Sequence, residues 1–408
     1  MSSAPSRRQV LIGGALGVGA GALGSVGGPA SQAVAAPESL APARTRPRPV
    51  APVNQAIADR MPLSYKVQPQ QVVGVDVEQE IAIHTMADIE AKRARLIDYI
   101  WKGAGLPSTM PKVEPGAALP PEIASLTGVR HTTRLTIPLS YGVKATQYLL
   151  EPHGRSNHRL SIYHTGHGED PIVRVRTVQG LLDHGYAVLC SDMPFVGWNV
   201  QLIQDATDPT KYVDIGTGTK AHNRFSSYET SAFSAMTFFL EPLAVGINYA
   251  RKLLRPQSIA LVGLSGGGWI TTAYAAIDTR ITRSYPTAGS FPFYLRPGPP
   301  IDSTGDWEQG GINGATVPGF YALTSFGDLY VMGAVGPRRG QLQILNRFDA
   351  CCFAGVGARS YAPVVSHRVA LIGQGQWDLQ EDATHNQHQV SPYALEVILW
   401  DLETNPPD

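Results

Sequence analysis

The stretch Ser258-Ile259-Ala260-Leu261-Val262-Gly263-Leu264-Ser265-Gly266-Gly267-Gly268-Trp269-Ile270 decides the fold. Ile259 to Val262 is a short apolar run of the kind that forms a buried strand. A helical pattern follows at once through Trp269, Ile270 and Ala273. Between the two lies G-x-S-x-G, Gly263-Leu264-Ser265-Gly266-Gly267, in a strand–turn–helix setting. Glycines are needed at 263 and 267 because so sharp a turn brings backbone against backbone, where a β-carbon would clash. The central serine is forced into a strained conformation with its hydroxyl above the sheet. The following helix aims its positive N-terminal end at any negative charge that develops there. A G-x-S-x-G string alone is common; the strand before it and the helix after it make Ser265 a candidate nucleophile.

A serine hydroxyl is a weak nucleophile until a base takes its proton. On an elbow of this type the acid and base follow the serine in the order Asp or Glu, then His. Gln341-Leu342-Gln343-Ile344-Leu345-Asn346-Arg347-Phe348-Asp349 reads as a late strand ending in a carboxylate, which makes Asp349 the candidate acid. Asp328, before that strand, and Asp382, after the next one, are weaker rivals. Three histidines follow the elbow: His367, His385 and His388. His367 is expected to open a strand over 368–372, remote from the catalytic face. His385 and His388 fall between that strand and the last helix, where ligand-binding loops collect. His388 is preferred because Ser391-Pro392 then begins the helix, but spacing leaves His385 open as the alternative base.

An acyl-transfer site also needs donors for the developing oxyanion. Leu160-Ser161-Ile162-Tyr163-His164 reads as a strand, followed by Thr165-Gly166-His167-Gly168-Glu169-Asp170. This glycine-rich loop would supply the backbone N–H of His167, with Gly166 as second choice, and the N–H of Gly266 would be the other donor.

Outward from these motifs, strand-like runs at 132–138, 145–150, 160–164, 187–191, 259–262 and 343–345 alternate with helical patterns at 173–183, 231–254, 268–277 and 392–402. That alternation predicts an α/β fold: a mostly parallel twisted sheet with helices on both faces. The first two strands follow each other without a helix, so the leading edge should be antiparallel. Residues 291–328 break the rhythm with Pro, Gly and the aromatics Phe291, Phe293, Tyr294, Trp307, Phe320 and Tyr321, and read as a loop-rich insertion over the active-site face. Upstream, residues 61–128 form an N-terminal extension. It holds a helix over 85–102 that starts in a capping box of Thr85 and Asp88. Residues 106–128 are proline-rich and should wrap the surface. The catalytic domain then spans 129–408.

The 408 residues carry 33 Lys+Arg and 33 Asp+Glu, so no net field draws a polyanion and nucleic-acid binding is not expected. An apolar share of 43% is enough for a large core. Arg7-Arg8 precede a short Gly/Ala-rich apolar run, and Ala33-Val34-Ala35 offers a cleavage site. Residues 1–35 thus read as a twin-arginine export signal, with no membrane span after its removal and a secreted or periplasmic mature chain. Gly19-x-Gly21-x-x-Gly24 within it follows no strand and is not a dinucleotide site. Residues 36–60 read as an extended, poorly ordered Pro/Ala/Arg-rich linker. Three cysteines make no disulfide framework. Cys190 belongs to a buried strand. Adjacent Cys351 and Cys352 permit a strained vicinal disulfide after export, though burial as small apolar groups is the commoner fate of such residues.

Taken together, Tyr163-His164-Thr165-Gly166-His167-Gly168, the Gly263–Gly267 elbow, Asp349, and His388-Gln389-Val390-Ser391-Pro392 resemble the α/β-hydrolase superfamily, in its secreted esterase branch near acetyl xylan esterases and dienelactone hydrolases. Gly185-Tyr186-Ala187-Val188-Leu189 leading to Asp192-Met193-Pro194 is similar to the family's fourth strand and exit loop. The likeness spans about 129–402 and leaves the insertion unmatched. It implies ester hydrolysis by Ser265, His388 and Asp349 through an acyl-enzyme, on a small-molecule or polysaccharide-linked ester, without cofactor or metal. The competing class is a metal-dependent hydrolase built on the loop pairs His164-x-x-His167 and His385-x-x-His388, with Asp170 and Asp382 nearby. Acyl transfer to an acceptor other than water would use the same three residues.

Overall fold

The structure, a computed structural model, describes residues 46–311 and 319–406. The segment 1–35 read as an export signal, the first part of the stretch read as a linker, and residues 312–318 of the insertion lie outside the described residues. In chain order the elements are α1 (Gln55–Arg60), α2 (Met86–Trp101), β1 (Lys112–Pro115), β2 (Val129–Pro138), β3 (Lys144–Pro152), β4 (Leu160–His164), α3 (Pro171–Asp183), β5 (Ala187–Ser191), β6 (Ile203–Gln204) and β7 (Tyr212–Val213). There follow α4 (Thr219–His222), α5 (Thr237–Leu254), β8 (Ile259–Leu264), α6 (Gly266–Ile277), β9 (Arg283–Thr287), α7 (Phe326–Ala334), β10 (Gly340–Asn346), α8 (Ala362–Ile372), β11 (Gln376–Asp382) and α9 (Pro392–Thr404).

Nine strands form one sheet in the order β1-β2-β3-β5-β4-β8-β9-β10-β11. The β1-β2-β3-β5 edge pairs antiparallel and every step from β5 to β11 is parallel. The predicted α/β class and its antiparallel leading edge are thus both present. Strand β8, which carries the nucleophile elbow, lies between β4 and β9 near the middle of the sheet. All six of its residues are buried, as expected for a strand covered on both faces.

Four departures from the sequence reading have physical causes. The run 368–372 is not a strand but the end of α8, so His367 is helical. Its buried residues Val365, Arg368 and Val369 recur at helical spacing, which a short apolar run conceals. The strand that follows is β11, and Asp382 is its last residue rather than a loop residue beyond it. Residues 46–60 are not loose linker: Trp400 Nε1 donates to the Arg46 carbonyl at 2.6 Å, Tyr393 Oη to that of Pro49 at 3.1 Å, and Asn54 caps α1. Within the wrapping stretch, Lys112–Pro115 pairs with β2 as an extra edge strand.

The extension is part of the main core. The capping box of Thr85 and Asp88 starts α2 as read. Ile89, Leu96 and Ile100 on one face are buried in the same cluster as Trp269 and Ala273 of α6. Among the described residues no helix is long and apolar enough to cross a membrane.

Candidate active site

The elbow forms where the glycine spacing requires it. Ser265 sits at φ 58°, ψ −122°, a conformation that non-glycine residues rarely adopt. Two bonds hold it there: its N–H donates to the Thr287 carbonyl of β9 at 2.9 Å, and its carbonyl accepts the Trp269 N–H at 2.9 Å. A β-carbon on Gly263 would run into the carbonyl of Gly267. Ser265 therefore stands at the C-terminal end of β8, at the N-terminus of α6.

The loop after β4 presses against this turn. A β-carbon on Gly166 would come within 2.6 Å of Ser265 Cβ and 3.0 Å of the Gly266 nitrogen. The backbone of Gly166 and His167 thus lies beside the serine, on the side where Gly266 offers its own N–H. Behind the loop, Thr165 Oγ1 donates to Asp192 at 2.6 Å, and Arg174 pairs with Asp192 at 3.0 Å while lying over the Trp198 ring. Tyr163 donates to Glu169 in the same buried group. Burial raises the Glu169 carboxyl to about 7, more than Tyr163 and Arg174 lower it.

Asp349 lies three residues past β10 and is fully buried. Its Oδ1 accepts the N–H of Cys351 at 2.7 Å, and its Oδ2 accepts Asn346 Nδ2 at 3.2 Å and His388 Nδ1 at 2.8 Å. His388 is the histidine that meets the late carboxylate. Burial pushes its imidazole pKa down, but the bond and charge of Asp349 outweigh this and leave it raised. His385 is placed differently: its Nε2 faces Asp382 Oδ2 at 3.2 Å and its Nδ1 accepts the Gln387 N–H at 3.1 Å. Asp382 also accepts the N–H and hydroxyl of Thr384 and the hydroxyl of Ser391, the N-cap of α9. Asp328 is the N3 residue of a capping box on α7 and binds Lys92 at 2.7 Å. Two of the three aspartates are thus held by structural bonds of their own.

Ser265, His388, His167, Asp306, Cys351, Cys352 and Phe353 line one open pocket of about 290 Å³. Among the described contacts the Ser265 hydroxyl makes no hydrogen bond to His388; the two residues face the same space. Cys351 and Cys352 are both free, one exposed and one half-buried, so the expected burial of this pair is corrected. The amide bonds to Asp349 hold their backbone at the pocket floor. Cys352 Sγ lies 3.8 Å from both ring nitrogens of His388 and 2.9 Å from Cys351 Sγ. The thiol bond from Cys352 pushes Cys351 down to about 6, against burial. Cys190 is core, as read.

The two metal pairs weighed from the sequence are not assembled. His164 turns to its neighbour's carbonyl at 2.9 Å, and burial lowers it to about 4. His167 joins a group the sequence gave no sign of: His222, at the end of α4, with Asp306 and Glu308 of the insertion. Burial alone would lower its pKa, but the two carboxylates raise it to about 10. These residues stand 55 to 141 positions away from His167 in the chain, beyond any local motif.

No family model matches the chain, and no curated protein matches it in sequence. Solved structures share its backbone course. The glucuronoyl esterase from Solibacter usitatus superposes with a TM-score of 0.52 at 12% identity, covering 79% of this chain and 92% of that one. Acetyl xylan esterase 1 from Thermoanaerobacterium sp. aligns with a TM-score of 0.47 at 13% identity, over 81% of this chain and 99% of its own. At such identities the likeness concerns architecture alone. A six-strand parallel run with a serine elbow after β8, a carboxylate after β10 and a histidine before the final helix, together with the first of these superpositions, shows that this chain has the α/β-hydrolase fold.

Proposed function

We propose that the chain is an exported serine-dependent hydrolase of carboxylic esters, acting through Ser265, His388 and Asp349. The observation that carries this reading is a strained serine sharing one pocket with an imidazole whose other nitrogen is held by a buried aspartate. In the reaction His388 Nε2 accepts the Ser265 proton as Oγ attacks the ester carbonyl. Asp349 keeps the remaining proton on Nδ1 and stabilises the imidazolium that forms. The oxyanion is received by the N–H groups of Gly266 and His167, each such donor being worth about 3 kcal/mol in the transition state. His388 then protonates the departing alkoxide, and water, deprotonated by the same nitrogen, releases the acid from Ser265.

The pocket is open and lined by Asp302, Ser303, Thr304 and Gly305 beside the aromatic Phe353. Such a rim suits a polar alcohol such as a sugar more than a long acyl chain. The likeness to a glucuronoyl esterase supports a sugar- or polysaccharide-linked ester as substrate. Arg7-Arg8 and the segment to Ala35 support export by the twin-arginine route. The test is labelling with a fluorophosphonate followed by peptide mapping, beside p-nitrophenyl acetate hydrolysis. Stoichiometric adduct on Ser265 and loss of hydrolysis in Ser265→Ala are expected. Unchanged hydrolysis in that variant would overturn the reading.

A further inference from the structure

His167, His222, Asp306 and Glu308 bring one donor atom each to within 4.8 Å of one another, from three separate parts of the chain. His167 follows β4, His222 ends α4, and both acids flank Trp307 in the insertion. His167 Nε2 alone has three neighbours at bonding distance: Asp306 Oδ2 at 2.7 Å, His222 Nδ1 at 2.9 Å and Glu308 Oε1 at 3.0 Å. A single N–H points in one direction and cannot serve three acceptors. His222 Nδ1 in turn lies 3.1 Å from Glu308 Oε1.

The surroundings prepare these atoms for a cation. His222 Nε2 donates to the Pro194 carbonyl at 2.7 Å, which leaves Nδ1 as the bare nitrogen of the neutral ring. That is the outer bond by which metal-binding histidines are oriented. Glu308 is completely buried, yet among the described residues its Oε2 has no hydrogen-bond partner. A buried carboxylate oxygen left without a partner costs free energy, and a second carboxylate beside it adds repulsion. A divalent ion would relieve both, since two carboxylates and two neutral imidazoles balance its charge.

We propose that these four residues form a structural Zn2+ site that staples the insertion to the loop carrying the oxyanion donor. Two imidazoles and two carboxylates, with no thiolate, are a borderline donor set that favours Zn2+ over the hard ions Mg2+ and Ca2+. Tetrahedral ligands at bonds of about 2.0–2.1 Å stand roughly 3.3 Å apart, so the four separations of 2.7 to 3.1 Å given above need to lengthen by only a few tenths of an ångström. His222 and Glu308 are buried, and His167 and Asp306 face the pocket. The ion would therefore enter from the pocket and finish with its outer side toward the substrate. It would fix the backbone of His167, a positioning role with no step of the hydrolysis passing through it. The metal site itself stands independently of the esterase reading, and only its positioning role rests on it.

The test measures metal, not turnover. The purified chain is analysed for bound metal, stripped with chelator, and titrated with Zn2+ by calorimetry and thermal melting. One equivalent per chain is expected, with a melting temperature that rises with Zn2+ concentration. Glu308→Gln, and Asp306→Asn at the more exposed edge, should weaken binding beyond the about 10- to 100-fold typical of losing an outer-shell partner. Co2+ in place of Zn2+ should give d–d bands without thiolate charge transfer. Failure of the stripped chain to bind Zn2+, or wild-type affinity in both variants, would overturn the proposal. So would binding that survives in Asp306→Asn and is lost in Cys352→Ser, which would move the ion to Cys351, Cys352 and His388.

Discussion

His388 Nδ1 lies 2.8 Å from Asp349 Oδ2, while the other oxygen of the same carboxylate is held by the backbone N–H of Cys351. The acid is therefore fixed by main chain and free to fix the imidazole. Asp349→Asn keeps an oxygen for the amide but presents an NH₂ to Nδ1, which forces the proton onto Nε2. A fall of about 10⁴-fold in kcat is expected, with little change in melting temperature. His385→Ala, which breaks the contacts with Asp382 and the Gln387 N–H but none with Asp349, should leave kcat within a few-fold and cost about 1–2 kcal/mol of stability. Ester hydrolysis and thermal melts of the two variants check the pair, and equal loss of activity in both would assign the base wrongly.

The pH profile follows from the same bond. Asp349 raises the His388 pKa above the ordinary 6.5 in spite of burial. The base works as the neutral ring, so kcat/KM should rise with pH through a midpoint above 6.5. In a variant retaining measurable activity but lacking the carboxylate, that midpoint should move down. A wild-type midpoint below 6 would contradict the assigned contact.

Cys351 offers a chemical handle on the pocket. With its thiol near 6, the thiolate fraction at pH 6.5 exceeds that of an ordinary thiol of pKa about 8.5 by some 75-fold. The lower basicity of the sulfur takes back most of this advantage, since nucleophilicity follows pKa with a slope of about 0.4–0.5. Iodoacetamide at pH 6.5 should thus alkylate Cys351 about fivefold faster than a free thiol, and the adduct should block ester hydrolysis. Cys351→Ser should hydrolyse esters and resist the reagent.

Glu169 makes stability depend on pH. Its folded pKa of about 7 lies above the ordinary 4.5, so between these values the folded chain holds a proton that the unfolded chain has released. Its stabilising contribution is full below about 4.5 and is lost as pH rises toward 7. A shift of that size corresponds to roughly 3 kcal/mol. Glu169→Gln, which keeps the acceptor for Tyr163, should melt higher than wild type at pH 8, with the gap closing toward pH 4.5. Calorimetric melts across that range decide it.

The elbow was legible because its glycines are steric requirements at fixed spacing, and Asp349 because a carboxylate closing an apolar strand leaves a local mark. Most of the parallel sheet was legible too, except at β11, whose place the apolar run of α8 took, and at β9. That strand, Arg283-Ser284-Tyr285-Pro286-Thr287, is wholly buried although its sequence is polar. Arg283 and Tyr285 are both satisfied by Asp401 of α9, 116 or more residues away, a pairing no window of sequence can display. The same holds for His222, Asp306 and Glu308, which only the folded chain brings beside His167. His385 and His388 could not be separated by spacing; the partners of each ring, Asp382 and Asp349, set them apart.

Asp382 accepts from Thr384 and His385 at one end of the loop and from Ser391 at the other. One side chain thereby buckles both ends of the segment that bears His388. The imidazole can turn about its own side-chain bonds, from the serine toward the leaving group, while its mount stays still. In the proposed mechanism, proton delivery would then require only a ring rotation, with no rearrangement of main chain between the two halves of the cycle.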